Sequence, residues 1–259
     1  MGIQEYRIEP IDINDEVKKV VVGNVINVPK TKQILIIGFD TEYQRKDSKE
    51  NEVLSYQFSC EILHSDETLR GHKWESIIIP TSHSIEDRLS IPDFISVAIS
   101  EGIEKYPDIK IPKTIYLVAH FTRADIPAFS EFKEDKDKRT IRLDNLRNSF
   151  VNLTKNIQVD LKDSFSGSDI KLTVCIRDSM HLSPTGKNSL DDLGDIVGVK
   201  KVKLSEDKET AKNLIENMKT LLNDDWELFR KYAIQDAVIA KEYIVQIIRI
   251  YQQQSNNFK

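Results

Sequence analysis

Cysteine is scarce in this sequence, with only Cys60 and Cys175 among 259 residues. Each sits in a stretch of alternating apolar residues, which suits small core hydrophobes in a reducing compartment and excludes a disulfide-built framework. The five histidines, His64, His72, His83, His120 and His181, form no spaced pair with one another or with cysteine, so a zinc site lacks ligands. Long apolar runs are missing too. The strongest, residues 34–39, is far too short to span a bilayer. The N-terminus lacks a basic start followed by an apolar stretch, so no secretory signal is expected and the chain reads as soluble and intracellular. Positive charge is not in excess: the formal net charge is −5, which argues against nucleic-acid binding by bulk charge but leaves room for a local basic groove. No glycine-rich phosphate loop occurs, since Gly167 and Gly186 stand in turn-like contexts.

What remains is a well-mixed globular composition. A hydrophobic share of 39% beside a charged share of 31% is enough for a proper core under a solvated surface. Residues 1–30 read as an N-terminal arm with at most one strand, and residues 31–259 as one domain. The run 33–40 is apolar and β-branched, as in a strand buried on both faces, and 53–63 with 74–79 complete a meander. Residues 84–106 turn helical, with Pro92 marking an interruption. A second buried strand covers 113–119 and a short helix 123–129, followed by a charged loop over 131–139. Segments 157–161 and 170–176 alternate around a turn and predict a hairpin. Helices follow over 189–197, 207–222 and 224–253. Strands, a strand–helix unit and then helices predict an α/β layered fold.

The chemistry concentrates in four carboxylates. Asp40 and Glu42, in Ile36-Ile37-Gly38-Phe39-Asp40-Thr41-Glu42, stand two apart on a strand and so project from one face. Acids closing an apolar run are costly to bury without a neutralising partner, and a divalent cation supplies one; a strand end meeting solvent explains the pair equally well. Asp125 follows the strand in Ala119-His120-Phe121-Thr122-Arg123-Ala124-Asp125, where taken alone it fits a helix-start acid. Tyr232 and Asp236 are four apart and share a helix face with Phe229, Ala233, Ala237, Ala240, Tyr243 and Ile244. That face packs inward, so Asp236 is an acid on the buried side. The basic stretch Lys200-Lys201-Val202-Lys203 fits either a solvated loop or a contact to a phosphate backbone. Phe121 and Phe165 suit stacking on unpaired bases or plain packing.

In order and context these motifs resemble the DEDD-type 3′–5′ exonucleases of the RNase H-like fold, in the branch with Tyr in the third motif. Phe39-Asp40-Thr41-Glu42 matches the first motif and Tyr232-x-x-x-Asp236 the third. The second is similar to the Ala-His-Asn-x-x-Phe-Asp pattern of proofreading domains in family B DNA polymerases, with Phe121 standing where Asn is usual and Ala124 where Phe is usual. A stretch through Asp178, His181 and Ser189 to Leu193 also resembles that domain, so the likeness spans roughly residues 34–243.

The resemblance implies a mixed central sheet flanked by helices, with a β-hairpin insertion. It implies Asp40, Glu42, Asp125 and Asp236 holding two Mg²⁺ or Mn²⁺ ions, with Tyr232 orienting the attacking water. Thr41, His120, Phe121 and Lys201 are the expected substrate contacts. The expected partner is a DNA 3′ end, single-stranded or frayed, with a polymerase domain in cis or in trans; no polymerase motif occurs in the chain itself. Two other readings fit the same residues: a catalytically silent module that holds nucleic acid or a partner, and an RNA exonuclease. Retention of all four acids opposes the silent module, because an idle acid cluster costs charge repulsion.

Overall fold

The computed structural model describes residues 7–8, 33–45, 51–64, 71–82, 84, 87–132, 143–146, 149–153, 156–162 and 169–257. Its strands are β1 (Arg7–Ile8), β2 (Gln33–Arg45), β3 (Asn51–His64), β4 (Lys73–Pro80), β5 (Thr114–Ala119), β6 (Leu143–Leu146), β7 (Ser149–Leu153), β8 (Ile157–Lys162) and β9 (Asp169–Asp178). The helices are α1 (Ile91–Lys105), α2 (Thr122–Asp125), α3 (Leu190–Val197), α4 (Lys208–Glu216), α5 (Met218–Asp224) and α6 (Trp226–Asn257). Seven strands form one mixed sheet in the order β1-β4-β3-β2-β5-β9-β8, while β6 and β7 pair separately. The chain therefore has the mixed α/β architecture expected of it. Among the described residues, no helix is long and apolar enough to cross a membrane.

The alternation along β2 divides the core. Leu35, Ile37 and Phe39 face α1 and pack with Phe94, Ile95, Ala98 and Ile99. Ile36 faces the other way, into a cluster with Leu193 of α3 and Ile239, Tyr243 and Ile244 of α6. Helix α1 thus covers one face of the sheet, and α3 with α6 covers the other. Behind Asp40, Phe39 meets Phe94 and Phe129 edge-on, at 6.0 and 5.7 Å between ring centroids. Such pairs contribute roughly 0.5–1.5 kcal/mol each beyond area burial and give β2 a stiff backing.

Gly38 sets how closely α6 approaches. A Cβ there would lie 2.3 Å from the Ala237 carbonyl oxygen and 2.6 Å from Lys241 Cβ. Only the bare backbone lets the helix descend onto β2 at this point, two residues before Asp40. Further along the same contact, Glu61 of β3 is buried among cations: Lys73 at 2.8 Å, Arg249 at 2.9 Å and Lys241 at 3.6 Å.

Several boundaries differ from the sequence reading. Helix α1 begins at Ile91, not at residue 84: the Ser90 side chain caps it by accepting from the Asp93 N–H, and proline occupies the first turn. Pro92 is a start signal, because its missing N–H has no intrahelical partner in that turn anyway. The helix expected over 207–222 breaks at Asn217 (φ −117°, ψ 44°) into α4 and α5. Strand β2 runs to Arg45, past the expected end at 40, with a register shift between Glu42 and Tyr43. The short helix near 123–129 is α2 followed by a 3₁₀ turn over Ile126–Ala128. The β8–β9 pair is antiparallel as expected, although its turn and Phe165 lie outside the described residues, as do His83 and most of the arm and of the charged loop. Cys60 and Cys175 are free and buried.

Candidate metal centre

Three elements deliver the acids to one place. Asp40 and Glu42 lie on the face of β2 that points to α6, the parity shared with Ile36 and Gly38. Val118 of β5 pairs in parallel with Gly38, so the chain leaves β5 level with Asp40 and turns through α2 to Asp125. Asp236 comes down from α6, one residue before the Ala237 carbonyl that meets Gly38.

Each carboxylate is held in place. Asp40 Oδ2 accepts a 2.7 Å bond from Gln57 Nε2, and Gln57 Oε1 accepts one of 3.0 Å from the Ser55 hydroxyl. Asp125 Oδ1 accepts from both the Thr41 hydroxyl (2.7 Å) and the Thr41 N–H (3.2 Å). Asp236 Oδ2 accepts from Lys201 Nζ at 2.8 Å, while Asp236 Oδ1 is buried with no partner. An orphaned carboxylate oxygen in a desolvated cluster is costly unless a further cation or donor meets it.

The electrostatics point the same way. Burial, then the charge of Asp236, pushes Asp40 from 3.8 up to about 7, against the opposing pull of Lys201, Gln57 and Thr41. Glu42 stands well above its usual range through burial and the neighbouring Asp40 and Asp236. Asp125 is raised strongly by burial and by Asp40, and Asp236 is raised by burial despite Lys201. Burial and then Glu42, Asp236 and Asp40 push the Tyr232 hydroxyl far above its ordinary value, so it stays protonated. Lys201 would be lowered by burial, but Asp236, Asp40 and Glu42 outweigh that and hold it above the usual lysine value. One ammonium thus faces three carboxylates, Asp236, Asp40 and Glu42, with Asp125 adjoining through Asp40, and the cluster is short of positive charge.

The donor set is all oxygen, the chemistry preferred by hard divalent cations such as Mg²⁺ and Mn²⁺. Among the described residues, no three or more acidic, histidine or cysteine side chains form a group that could hold a metal ion as it stands. Lys201 is paired with Asp236 at 2.8 Å. The features that suit a cation are the orphaned Asp236 oxygen and the excess of negative charge.

The other expected contacts are distributed around this cluster. Thr41 has both its hydroxyl and its N–H engaged by Asp125, so it orients an acid. His120 Nδ1 bonds the Ser179 hydroxyl at 3.0 Å, and burial lowers its pKa. Phe121 is exposed, four residues before Asp125. Within the basic stretch only Lys201 joins the acids, its Nζ also lying 5.6 Å from the Tyr232 ring centroid, whereas Lys203 is an exposed partner of Glu206. Gln57 and Ser55 were not anticipated. The available signal was polar alternation at Ser55, Gln57, Ser59 and Glu61 within a buried strand.

The chain is 29% identical over 238 residues to the primer-independent DNA polymerase PolB of Escherichia coli, an alignment covering 86% of this chain and 26% of that protein. The chain therefore spans about a quarter of its relative's length. No family model matches it.

Proposed function

We propose that this chain is a metal-dependent 3′–5′ exonuclease domain with an RNase H-like fold, related to the proofreading domains of family B DNA polymerases and acting on single-stranded or frayed DNA ends. The observation that carries the reading is that four carboxylates from β2, the β5 exit and α6, all raised above their usual range, share the charge of a single lysine at Asp236, Asp40 and Glu42, with one Asp236 oxygen left without a partner. Distant similarity to a DNA polymerase supports a role in nucleic-acid processing.

Asp40, Glu42, Asp125 and Asp236 would hold two Mg²⁺ or Mn²⁺ ions. When bound, such a pair stabilises the charge that develops on the attacking and leaving oxygens of an in-line displacement. The chain's own groups position the reactants. Tyr232, kept protonated, offers a hydroxyl that orients the attacking water and does not act as its base. Lys201 is placed to leave Asp236 for a phosphate oxygen of the substrate, which would restore charge balance as the anion enters. Gln57 and Thr41 fix the rotamers of Asp40 and Asp125. The product is a nucleoside 5′-monophosphate.

The test is degradation of a 5′-labelled single-stranded oligonucleotide with Mg²⁺ or Mn²⁺, as DNA and as RNA, by the native chain and by Asp40→Ala/Glu42→Ala. A ladder shortening from the 3′ end of DNA, lost in the double variant and in chelator, supports the proposal. Shortening confined to RNA would reassign the substrate. Absence of a ladder on both from folded protein would leave a silent module, the reading favoured by the Lys201–Asp236 pair that already closes part of the site.

A further inference from the structure

We propose that Phe121 is a stacking platform for an unpaired nucleobase near the substrate's 3′ end, and that Asp178 is the positioning residue that holds it there. The inference rests on the exonuclease reading of the acid site and deepens it by assigning how a single strand is gripped.

Phe121 combines two uncommon properties. Its φ is 62°, and among the described residues it is the only non-glycine with a positive φ. Its ring is also 46% exposed, in a molecule whose other described phenylalanines largely pack inside. A bulky L-residue in the left-handed region is strained, and such strain persists where the surroundings over-determine it. An exposed aromatic alone is unremarkable. An exposed aromatic held in strained backbone four residues before one of the clustered acids has a position worth maintaining.

The surroundings do over-determine it. Asp178 is buried at the end of β9, opposite Ala119 of β5. Its Oδ1 accepts from the Phe121 N–H at 3.0 Å and from the Met180 N–H at 2.9 Å. One residue earlier, His120 Nδ1 bonds Ser179 Oγ at 3.0 Å, and three residues later the Ala124 N–H donates to the Phe121 carbonyl at 2.8 Å. Residues 120–121 are therefore pinned to 178–179 across the parallel strand pair. Glycine would take this backbone without strain, so the aromatic side chain itself needs a reason.

Location supplies one. The chain leaves β5 level with Asp40, and Phe121 opens the turn that ends at Asp125. A strand whose last phosphodiester reaches the acids would bring its terminal bases close to this turn. The net charge of the chain is −5, so bulk attraction to the backbone is weak and base contacts matter more. Stacking tolerates any base and demands that the base be unpaired, which suits an enzyme acting on single-stranded ends.

The experiment scans one abasic residue through the last four positions of a 5′-fluorescein oligodeoxynucleotide, measuring affinity by anisotropy and KM and kcat by shortening. At one position the native chain should lose about 5- to 150-fold in affinity, the range for one stacked base. Phe121→Ala should be equally weak on the intact strand and indifferent to the abasic site, with kcat at saturation changed less than KM. Phe121→Trp should recover the abasic penalty. Phe121→Gly should unfold no earlier than the native chain on heating yet bind as Phe121→Ala does, which separates stacking from folding. Asp178→Asn, with its poorer acceptor, should retain part of the penalty.

A native chain that shortens DNA with no abasic penalty at any position overturns the platform and leaves the nuclease standing. So does a penalty that persists undiminished in Phe121→Ala. Abasic-sensitive binding that needs Phe121, without any shortening, would sink the nuclease reading and keep the platform.

Discussion

Helix α6 covers two charged clusters on the same face of the sheet, and they are built on opposite plans. Around Glu61, two acids (Glu61 and Glu242) meet three cations (Lys73, Lys241 and Arg249), at 2.7–3.6 Å. Burial alone would raise Glu242, but Lys241 and Lys73 hold it below its ordinary value. Five residues back along α6, Asp236 joins Asp40 and Glu42 around Lys201 alone, Asp125 stands beside Asp40, and all four acids are raised. The first cluster is neutralised by the fold and fastens α6 to β3. The second is left charge-deficient by the same helix on the same sheet. A buried acid is structural where its counter-charge is built in, and poised for a ligand where it is not.

The largest expected effect breaks the second cluster. Asp40→Ala/Glu42→Ala should cut the rate of 3′ shortening by about a thousandfold or more, because several kcal/mol of charge stabilisation at the reacting phosphate go with the cation ligands. Its fold, checked by circular dichroism, should remain. The converse substitution is in the first cluster. Lys241→Ala should destabilise by about 3 kcal/mol in urea unfolding, the low end for breaking a buried pair, because Lys73 and Arg249 still neutralise Glu61. Between the clusters, Gly38→Ala forces a Cβ against the Ala237 carbonyl and should cost about 1–3 kcal/mol through overpacking. Activity should fall with it, since lifting α6 carries Asp236 away from Asp40.

The smallest effect separates the two plans by pH. Asp40, whose folded pKa is raised from 3.8 to about 7, binds more protons folded than unfolded. Stability of the cation-free chain should therefore decline as pH rises from about 4 to about 7, with Glu42, Asp125 and Asp236 adding to the decline. Glu242, lowered in the fold, contributes stability present above its unfolded value of 4.5 and lost as pH falls through its lower folded value. Asp40→Asn should leave stability below about pH 4 nearly unchanged and raise it progressively as pH climbs from there to about 8, the window over which the native carboxyl is forced to ionise. Thermal melts across this range with and without Mn²⁺ check the sign, and the ion should abolish the decline.

The sequence shows these two clusters unequally. Asp40 and Glu42 stand out because acids interrupt a β-branched run, and Asp236 because it breaks an apolar helix stripe; both are local periodicity signals. The meander of β2, β3 and β4 and the β8–β9 pair follow from alternation in the same way. Glu61 and Lys241 left no such mark, since their partners lie 180 residues apart (241 − 61) and only the docking of α6 brings them together. Lys201 is legible only as a candidate substrate contact within a run of lysines that otherwise looks solvated; its pairing with Asp236 is a tertiary outcome. The start of α1 is not legible from Pro92, because proline can interrupt a helix or open it, and Ser90 decides between them only through its cap. The break at Asn217 carries neither proline nor glycine, so nothing local announces it.

The most direct test of the central claim, that the acid cluster is a cation site left open by the fold, is calorimetric titration of Mn²⁺ into the metal-free chain near neutral pH. Repeating it in two buffers of different ionisation enthalpy counts the protons displaced. The account predicts uptake of two ions with net proton release, since carboxylates raised toward neutral pH must give up their protons to bind them. It also predicts weakened uptake in Asp236→Asn. Folded protein that takes up no Mn²⁺, with Lys201 remaining the only counter-charge, would contradict it.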